Sequence, residues 1–382
     1  MKIVIAPQAF KGSISALDVA TAIGNGVRRV LSDVDLELVP VADGGDGTLE
    51  TLVEATGGEI RTATVTGPLG EKVAAQWGAL GDGTTAVIEM ARTSGLAMVP
   101  EKNRDPRITT TYGLGDAIKT ALVAGFRTFI LGIGGSATND GGAGVAQSLG
   151  VKLLDEKGHD LPYGGAALAR LDHIDMSGLD SRVSESTFSV ACDVTNPLTG
   201  PEGASSVYGP QKGATPEMIQ HLDTALAHLA EIVKRDIGAE INDISGAGAA
   251  GGLGGGLIAF IGGTLRAGVD IVLDTVELES KLEDADLVIT GEGQMDFQTV
   301  YNKAPIGVAR IARAKGIPVI AISGSLGENF TVVHEHGIDA VLPITNSPLT
   351  LEEASERAAD LAASAAEQAI RLMEVGNRVL GA

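Results

Sequence analysis

The sequence lacks the features of a secreted, membrane-bound or nucleic-acid-binding protein. It has one cysteine, Cys192, which excludes an internal disulfide and is typical of a reducing compartment. It has 28 basic against 49 acidic residues, a formal charge of −21, which argues against nucleic acid or an anionic membrane as partner. The apolar start, Lys2–Pro7, is too short for a signal peptide and predicts a first strand. We therefore expect a cytoplasmic protein.

Several common site motifs are also missing. The six histidines show no zinc-like spacing. No loop ends in Gly-Lys-Ser or Gly-Lys-Thr, so the Walker A loop is absent, as are the protein-kinase signatures. Residues 323–327, SGSLG, lack the leading glycine of a serine-hydrolase elbow. If the protein handles ATP, it does so by another scheme.

One long segment, residues 244–265, carries no charge and could span a bilayer by length. It consists mainly of glycine and alanine, with few large apolar side chains. We therefore expect a buried helix that packs closely, and no membrane partner.

Short β-branched runs alternate with helical patterns along most of the chain, which is typical of parallel sheets covered by helices. Between about residues 60 and 90, three strand-like runs follow one another through glycine-containing turns, which predicts a mixed sheet. The 382 residues exceed the roughly 250–300 that one core usually supports. The sequence thus predicts an α/β protein of two domains.

Glycine is abundant, with 52 residues, about twice its usual frequency of roughly 7%. Gly132-x-Gly134-x-x-Ala137 matches the dinucleotide-binding fingerprint, but Gly246-x-Gly248-x-x-Gly251 matches it as well. Two loose matches in such a chain make the pattern uninformative, so an NAD-dependent dehydrogenase stays only an alternative.

The loop 134–144 differs from other glycine-rich segments in its polar content. Ser136, Thr138, Asn139 and Asp140 stand at the start of a helix predicted over residues 141–149. Capping by Asn139 or Asp140 needs only one such side chain. Four in a row, with glycines on both sides, predict a binding site.

Acidic residues follow several other predicted strands. Asp43 and Asp46 flank a glycine pair, which we interpret as part of a binding site. The alternative interpretation is an Asx turn that caps the helix predicted from Thr48. Asp193 follows a buried strand, where ligands bind in open α/β sheets. Glu292 and Asp296 follow another, in a pattern that suits Mg²⁺ shared with phosphates.

Eight segments, in order, resemble blocks of the class I glycerate kinase family: 5–16, 41–48, 88–96, 132–144, 191–200, 208–214, 246–257 and 289–299. The resemblance spans nearly the whole chain. It implies a Rossmann- or flavodoxin-like domain with a mostly parallel sheet (1–60 plus 268–382), a second domain with a mixed sheet (61–267), and an active-site cleft between them. It also implies transfer of a phosphoryl group from ATP to D-glycerate, as a rule at the 2-hydroxyl, giving 2-phosphoglycerate and ADP.

The family pattern carries over to nine matching positions: Lys11, Asp43, Ser136, Asn139, Asp140, Asp193, Lys212, Glu292 and Asp296. We expect Asp193 to be the base, and Lys11 and Lys212 to neutralise charge. Glu292 and Asp296 would hold Mg²⁺. Substrate or phosphate oxygens would be bound by Asp43 and by Gly134, Gly135, Ser136, Thr138, Asn139 and Asp140 of the loop.

Four positions depart from the family pattern: Gln8 and Ala9 stand in place of Asp-Ser, Gln294 in place of Arg, and Asn302 in place of Gly. With these changes, the resemblance indicates the phosphoryl transfer more firmly than it indicates the identity of the substrate. The alternatives are phosphorylation at the 3-hydroxyl, a related hydroxy acid such as tartronate, and a non-catalytic binding protein. A homodimer is one candidate for the oligomeric state.

Overall fold

The computed structural model describes residues 1–45 and 47–381. The chain folds into two compact units, residues 1–57 with 269–382 and residues 58–268. Asp46, one of the acidic residues named above, lies outside the described residues.

Strands and helices alternate along most of the chain. The strands are β1 (Lys2–Pro7), β2 (Asp35–Leu38), β3 (Glu59–Thr66), β4 (Lys72–Ala79), β5 (Thr85–Glu89), β6 (Thr128–Gly132), β7 (Lys152–Leu154), β8 (His173–Asp175), β9 (Thr187–Ala191), β10 (Thr264–Arg266), β11 (Leu287–Gly291), β12 (Gln294–Met295), β13 (Val319–Ser323), β14 (Ser325–Leu326) and β15 (Ala340–Pro343). The α-helices are α1 (Ala16–Arg28), α2 (Thr48–Thr56), α3 (Ala91–Ser94), α4 (Tyr112–Val123), α5 (Ala143–Ser148), α6 (Ala204–Tyr208), α7 (Pro216–Asp236), α8 (Ala249–Ile261), α9 (Gly268–Thr275), α10 (Leu278–Lys281), α11 (Ala304–Ala314), α12 (Leu351–Glu356) and α13 (Ala358–Leu380).

The main sheet of the first unit is parallel, in the order β15-β13-β11-β1-β2. Counted along the chain these strands have the order 2-1-3-4-5, which is the flavodoxin-like arrangement. Strands β1, β11 and β13 are buried almost throughout, as expected for a sheet with both faces covered. The predicted parallel α/β fold is confirmed.

The main sheet of the second unit has six strands in the order β10-β9-β6-β5-β4-β3. The pairs β3–β4 and β4–β5 are antiparallel, and the other pairs are parallel. The strand run predicted between residues 60 and 90 therefore forms the antiparallel part of a mixed sheet, as expected.

The uncharged segment 244–265 contains the buried helix α8, but its start is not regular helix. Ala250, Gly251 and Gly252 have φ values of 54°, 73° and 87°. A Cβ on Gly251 would lie 2.0 Å from the carbonyl oxygen of Thr138, and one on Gly256 would lie 2.1 Å from that of Gly141. The glycines thus allow backbone-to-backbone contact with the loop 134–144. Among the helices of residues 1–45 and 47–381, none is both long and apolar enough to cross a membrane.

Candidate active site

The second unit brings several predicted site segments to one edge of its sheet. Strands β5, β6, β9 and β10 are parallel, so their carboxyl ends lie at the same edge. In register, Glu89 pairs with Gly132, which pairs with Ala191. The loop 134–144 follows β6 and Asp193 follows β9, so both begin where ligands bind open α/β sheets.

Only the first turn of the loop 134–144 faces the solvent. Gly134 and Gly135 are exposed, and a Cβ on Gly134 would meet no atom within 4 Å. The N–H groups of these two glycines have no acceptor within the described part of the chain. Ser136 is 6% exposed. The two glycines therefore form the surface of the loop that a ligand can approach.

The polar residues that follow are buried inside the unit. Thr138, Asn139 and Asp140 have no exposed surface. In the folded loop these side chains turn inward, and their contact with a ligand stays a prediction. They support the loop from within.

Asp140 holds the loop to two neighbouring segments. Its carboxylate accepts hydrogen bonds from Thr111 N (2.8 Å) and Oγ1 (2.9 Å), and from the N–H groups of Gly142 (3.2 Å) and Gly144 (3.3 Å). Burial raises the pKa of Asp140, and these hydrogen bonds lower it in part. Helix α5 begins only at Ala143, and Asp140 satisfies its first N–H groups. Asp140 therefore caps this short helix, as the capping alternative predicted, and phosphate binding by the loop stays a prediction.

Lys212 lies behind the loop, in a helical turn at Pro210–Lys212. Its ammonium donates to Ser136 Oγ (2.8 Å) and to the carbonyl oxygen of Thr138 (2.7 Å), and the side chain is only 1% exposed. Burial lowers the pKa of Lys212 to about 7, although the field of Asp140 raises it. Lys212 therefore acts on the loop itself.

Around the loop, three buried polar atoms have no hydrogen-bond partner among the residues that the structure describes: Ser94 Oγ, Thr138 Oγ1 and Asn139 Oδ1. Asn139 is held on its other side, where Nδ2 donates to Ser205 Oγ at 2.9 Å. Ser94 adjoins the loop, since its carbonyl oxygen accepts the N–H of Ala137. Buried polar atoms without partners are rare in folded proteins and often mark functional sites.

Asp193 is exposed at the carboxyl end of β9. Its Oδ1 accepts the N–H of Gly268 at 3.0 Å, which fixes the orientation of the carboxylate. A carboxylate has the chemistry of a general base, and this role of Asp193 stays a prediction.

An ion pair that we did not predict lies at the end of β5. Glu89 is buried, and Arg92 Nε donates to Glu89 Oε2 at 2.7 Å, while Arg92 Nη1 donates to Gln76 Oε1 at 2.8 Å. The signal was available, because Glu89 ends an apolar strand just as Asp193 follows one, and Glu89 and Arg92 both lie in the segment 88–96.

The first unit has its own set of predicted residues beyond the ends of its parallel strands. Glu292 follows β11 directly, and a Cβ on the next residue, Gly293, would lie 3.4 Å from Lys11 N. The segment that carries Lys11 therefore packs against the one that carries Glu292. Asp43 Oδ1 accepts the N–H of Gly45 at 3.1 Å, which is the Asx turn given above as the alternative interpretation.

Glu292 is a buried carboxylate with two partners. Thr299 Oγ1 donates to its Oε1 at 2.7 Å, and Lys303 Nζ donates to its Oε2 at 3.4 Å. Burial raises the pKa of Glu292, and the contacts with Thr299 and Lys303 lower it. Asp296 is tied to the same group, since its N–H donates to Thr299 Oγ1 at 3.1 Å.

The carboxylates of Glu292 and Asp296 suit Mg²⁺ chemically, since this ion prefers oxygen ligands and keeps several waters. Within residues 1–45 and 47–381 no group of three or more His, Cys, Asp or Glu side chains is placed to hold a metal ion. An ion held by Glu292 and Asp296 would need further oxygen ligands, and their role in holding Mg²⁺ stays a prediction.

Asn302 explains one departure from the family pattern. Its φ is 55°, in the left-handed region, directly before Lys303 at the start of α11. Glycine adopts this conformation most easily, and asparagine is among the few other residues that do so routinely. The exchange therefore keeps the backbone geometry around Lys303.

Comparison with known proteins gives one consistent result. The sequence profile described as "Glycerate kinase family" matches residues 3–374. The chain is 51% identical over 381 residues to Glycerate 2-kinase of Escherichia coli (strain K12), covering 100% of both chains. It is 53% identical over 360 residues to Glycerate kinase of Bacillus subtilis (strain 168), covering 94% of each. A crystal structure assigned as glycerate kinase 2 from Salmonella typhimurium LT2 matches with a TM-score of 0.92 and 52% identity, covering 99% of both chains. The chain therefore belongs to the glycerate kinase family.

Proposed function

We propose that this protein transfers the γ-phosphoryl group of ATP to the 2-hydroxyl of D-glycerate. The observation that carries the proposal is the exposed Gly134–Gly135 turn with Lys212 buried behind it. Unpaired N–H groups backed by a cation are a recurrent way to bind carboxylate or phosphate oxygens. The choice of the 2-hydroxyl rests on the name of the Escherichia coli relative, Glycerate 2-kinase.

Asp193 is the proposed base. The acceptor hydroxyl must lose its proton as the phosphoryl group arrives, and a carboxylate can accept that proton. Asp193 offers an oriented carboxylate at a strand end of the second unit. The same edge carries the Gly134–Gly135 turn, whose N–H groups would bind oxygens of the substrate or of the phosphate.

The first unit is proposed to supply Lys11, Asp43, Glu292 and Asp296. Lys11 neutralises anionic oxygens, and Asp43 contributes to substrate binding. Glu292 and Asp296 would hold Mg²⁺, which when bound neutralises phosphate charge. Lys303 and Thr299 hold the Glu292 carboxylate in one orientation.

An ATP-dependent assay with D-glycerate tests the activity, and NMR of the product separates 2- from 3-phosphoglycerate. Asp193→Asn keeps the shape of the side chain and removes its basicity, so kcat should fall by about 10²–10⁴-fold. Asp160→Asn, at an exposed aspartate of the same unit, is the matched control and should leave kcat unchanged. Near-normal turnover of Asp193→Asn would exclude this residue as the base.

The same assay separates the alternatives. A non-catalytic binding protein would bind D-glycerate without forming ADP. A dehydrogenase would bind NAD(H) and consume no ATP. Tartronate, offered in place of D-glycerate, tests a preference for a related hydroxy acid.

A further inference from the structure

The buried lysine of the second unit has an incomplete set of partners. Lys212 Nζ donates to Ser136 Oγ and to the carbonyl oxygen of Thr138. An ammonium group carries three donors, and these two acceptors are neutral. Both acceptors belong to the loop whose exposed turn is Gly134–Gly135.

The charge around Lys212 is only partly compensated. The charged group that acts on it is Asp140, whose carboxylate already accepts four hydrogen bonds. Arg104 contacts Gly213, the residue after Lys212, through its main chain and its Cβ. Burying an ammonium without a dedicated anion is costly, so burial favours the neutral amine.

The loop also has donors to spare. The hydroxyls of Ser94 and Thr138 are buried without a partner, and each can donate one hydrogen bond. The buried groups around the loop without a partner in the described part of the chain are then these two hydroxyls, the third N–H of a Lys212 ammonium and one acceptor, Asn139 Oδ1. An anion at the exposed Gly134–Gly135 turn of the same loop would add negative charge near Lys212 without contacting these buried groups.

We propose that an anion bound at the Gly134–Gly135 turn supplies the missing negative charge, and that Lys212 takes up a proton as the anion binds. One proton enters from the solvent for each anion bound and leaves when the anion leaves. Lys212 is then a positioning residue, which acts through Ser136 and Thr138 and does not touch the substrate. The inference rests on the proposed function, because it takes a carboxylate or phosphate of the reactants as the anion.

This coupling makes affinity depend on pH. Above neutral pH Lys212 of the unliganded protein is neutral, and it must take up a proton as the anion binds. The Kd of the anion therefore rises up to tenfold for each pH unit. Below neutral pH Lys212 already carries its proton, and Kd levels off.

Calorimetric titration of the full chain tests the inference at about pH 8.5, where carboxylates and phosphates are fully ionised. D-glycerate and ADP are titrated separately, each in two buffers of different ionisation enthalpy. Uptake of nearly one proton on glycerate binding identifies a carboxylate at the loop, and uptake on ADP binding identifies a phosphate. No uptake with either ligand overturns the inference.

Variants locate the proton. Lys212→Met and Lys212→Arg should abolish the uptake, because neither side chain titrates in this range, whereas Lys152→Met, at an exposed lysine of the same unit, should retain it. Uptake that persists in Lys212→Met overturns the assignment. If the Lys212 variants do not fold, Ser136→Ala is used instead, because it keeps the lysine and removes one of its two acceptors. The pH midpoint of proton uptake should then shift, and an unchanged midpoint would contradict the assignment to Lys212.

The inference and the proposed function fail differently. Turnover of ATP and D-glycerate without proton uptake refutes the inference alone. A chain that binds neither ligand refutes the proposed function, and the inference with it.

Discussion

Gly251 is the position where one added methyl group tests how the glycine-rich helix α8 supports the loop. The carbonyl oxygen of Thr138 lies 2.0 Å from the place of a Cβ on Gly251, and the same oxygen accepts the hydrogen bond from Lys212 Nζ at 2.7 Å. Gly251→Ala therefore presses on the atom that links the loop to the buried lysine.

The size of the effect follows from two separate costs. Alanine at a φ of 73° costs about 1–2 kcal/mol because of its left-handed backbone. Real Cβ atoms essentially never approach a heavy atom within 3.0 Å, so the loop must also move by about 1 Å. Overpacking of this kind costs typically 1–3 kcal/mol. Gly251→Ala should thus lower the free energy of unfolding by about 2–5 kcal/mol.

Gly262→Ala is the matched control, because Gly262 ends the same helix at a φ of 69° and a Cβ there meets nothing within 4 Å. It bears the backbone cost alone, about 1–2 kcal/mol. Each kcal/mol lowers Tm by about 2–4 °C in a unit of this size. Because a displacement of about 1 Å can cost 10²-fold in rate, kcat/KM should fall by about 10–10² in Gly251→Ala and stay unchanged in Gly262→Ala. Equal Tm and kcat/KM in the two variants would refute this account of the helix.

Three further predictions concern charge and backbone. The pKa of Lys212 is about 7 in the folded protein against 10.5 ordinarily, so between these pH values the unfolded chain binds more protons and the free energy of unfolding rises with pH. Denaturant unfolding should show this rise as up to about 1.4 kcal/mol per pH unit relative to Lys212→Met. Parallel curves of unfolding free energy against pH for the two proteins would contradict this prediction. Glu292→Gln removes the charge opposite Lys303, so we expect the Mg²⁺ concentration for half-maximal rate to rise, and an unchanged value would argue against a metal role. Asn302→Ala should cost about 1 kcal/mol in thermal unfolding while Asn302→Gly stays near neutral, and two equal values would contradict a left-handed backbone there.

Much of the fold follows from local patterns in the sequence. Five short apolar runs, each bounded by turn residues, form the strands β1, β6, β9, β11 and β13. Such a run can be recognised from its own length, composition and flanking residues. The antiparallel part of the second sheet was also visible, because its turns leave no room for helices. The left-handed start of α8 was not, since the close approach of its backbone to Thr138 is a contact between segments far apart in the chain.

Some features of the candidate site could be predicted from the sequence, and others could not. The position of Asp193 at the edge of the sheet was predictable, because the residue directly follows a buried strand. The inward orientation of Thr138, Asn139 and Asp140 was not, because sequence gives no direction for a side chain in a loop. Their partners, such as Thr111 and Ser205, lie 29 and 66 positions away along the chain.

The net charge of −21 sets a physical problem for a protein whose proposed reactants are anions. A lysine on the surface would be screened by water and salt within about 8–10 Å, and would add little against that field. A lysine inside the unit is screened far less, so its charge reaches the loop surface more strongly. The same burial makes the charge costly to keep when no anion is present. Lys212 is 1% exposed and donates to two neutral oxygens of the loop, so a proton on it is screened less than one on a surface lysine.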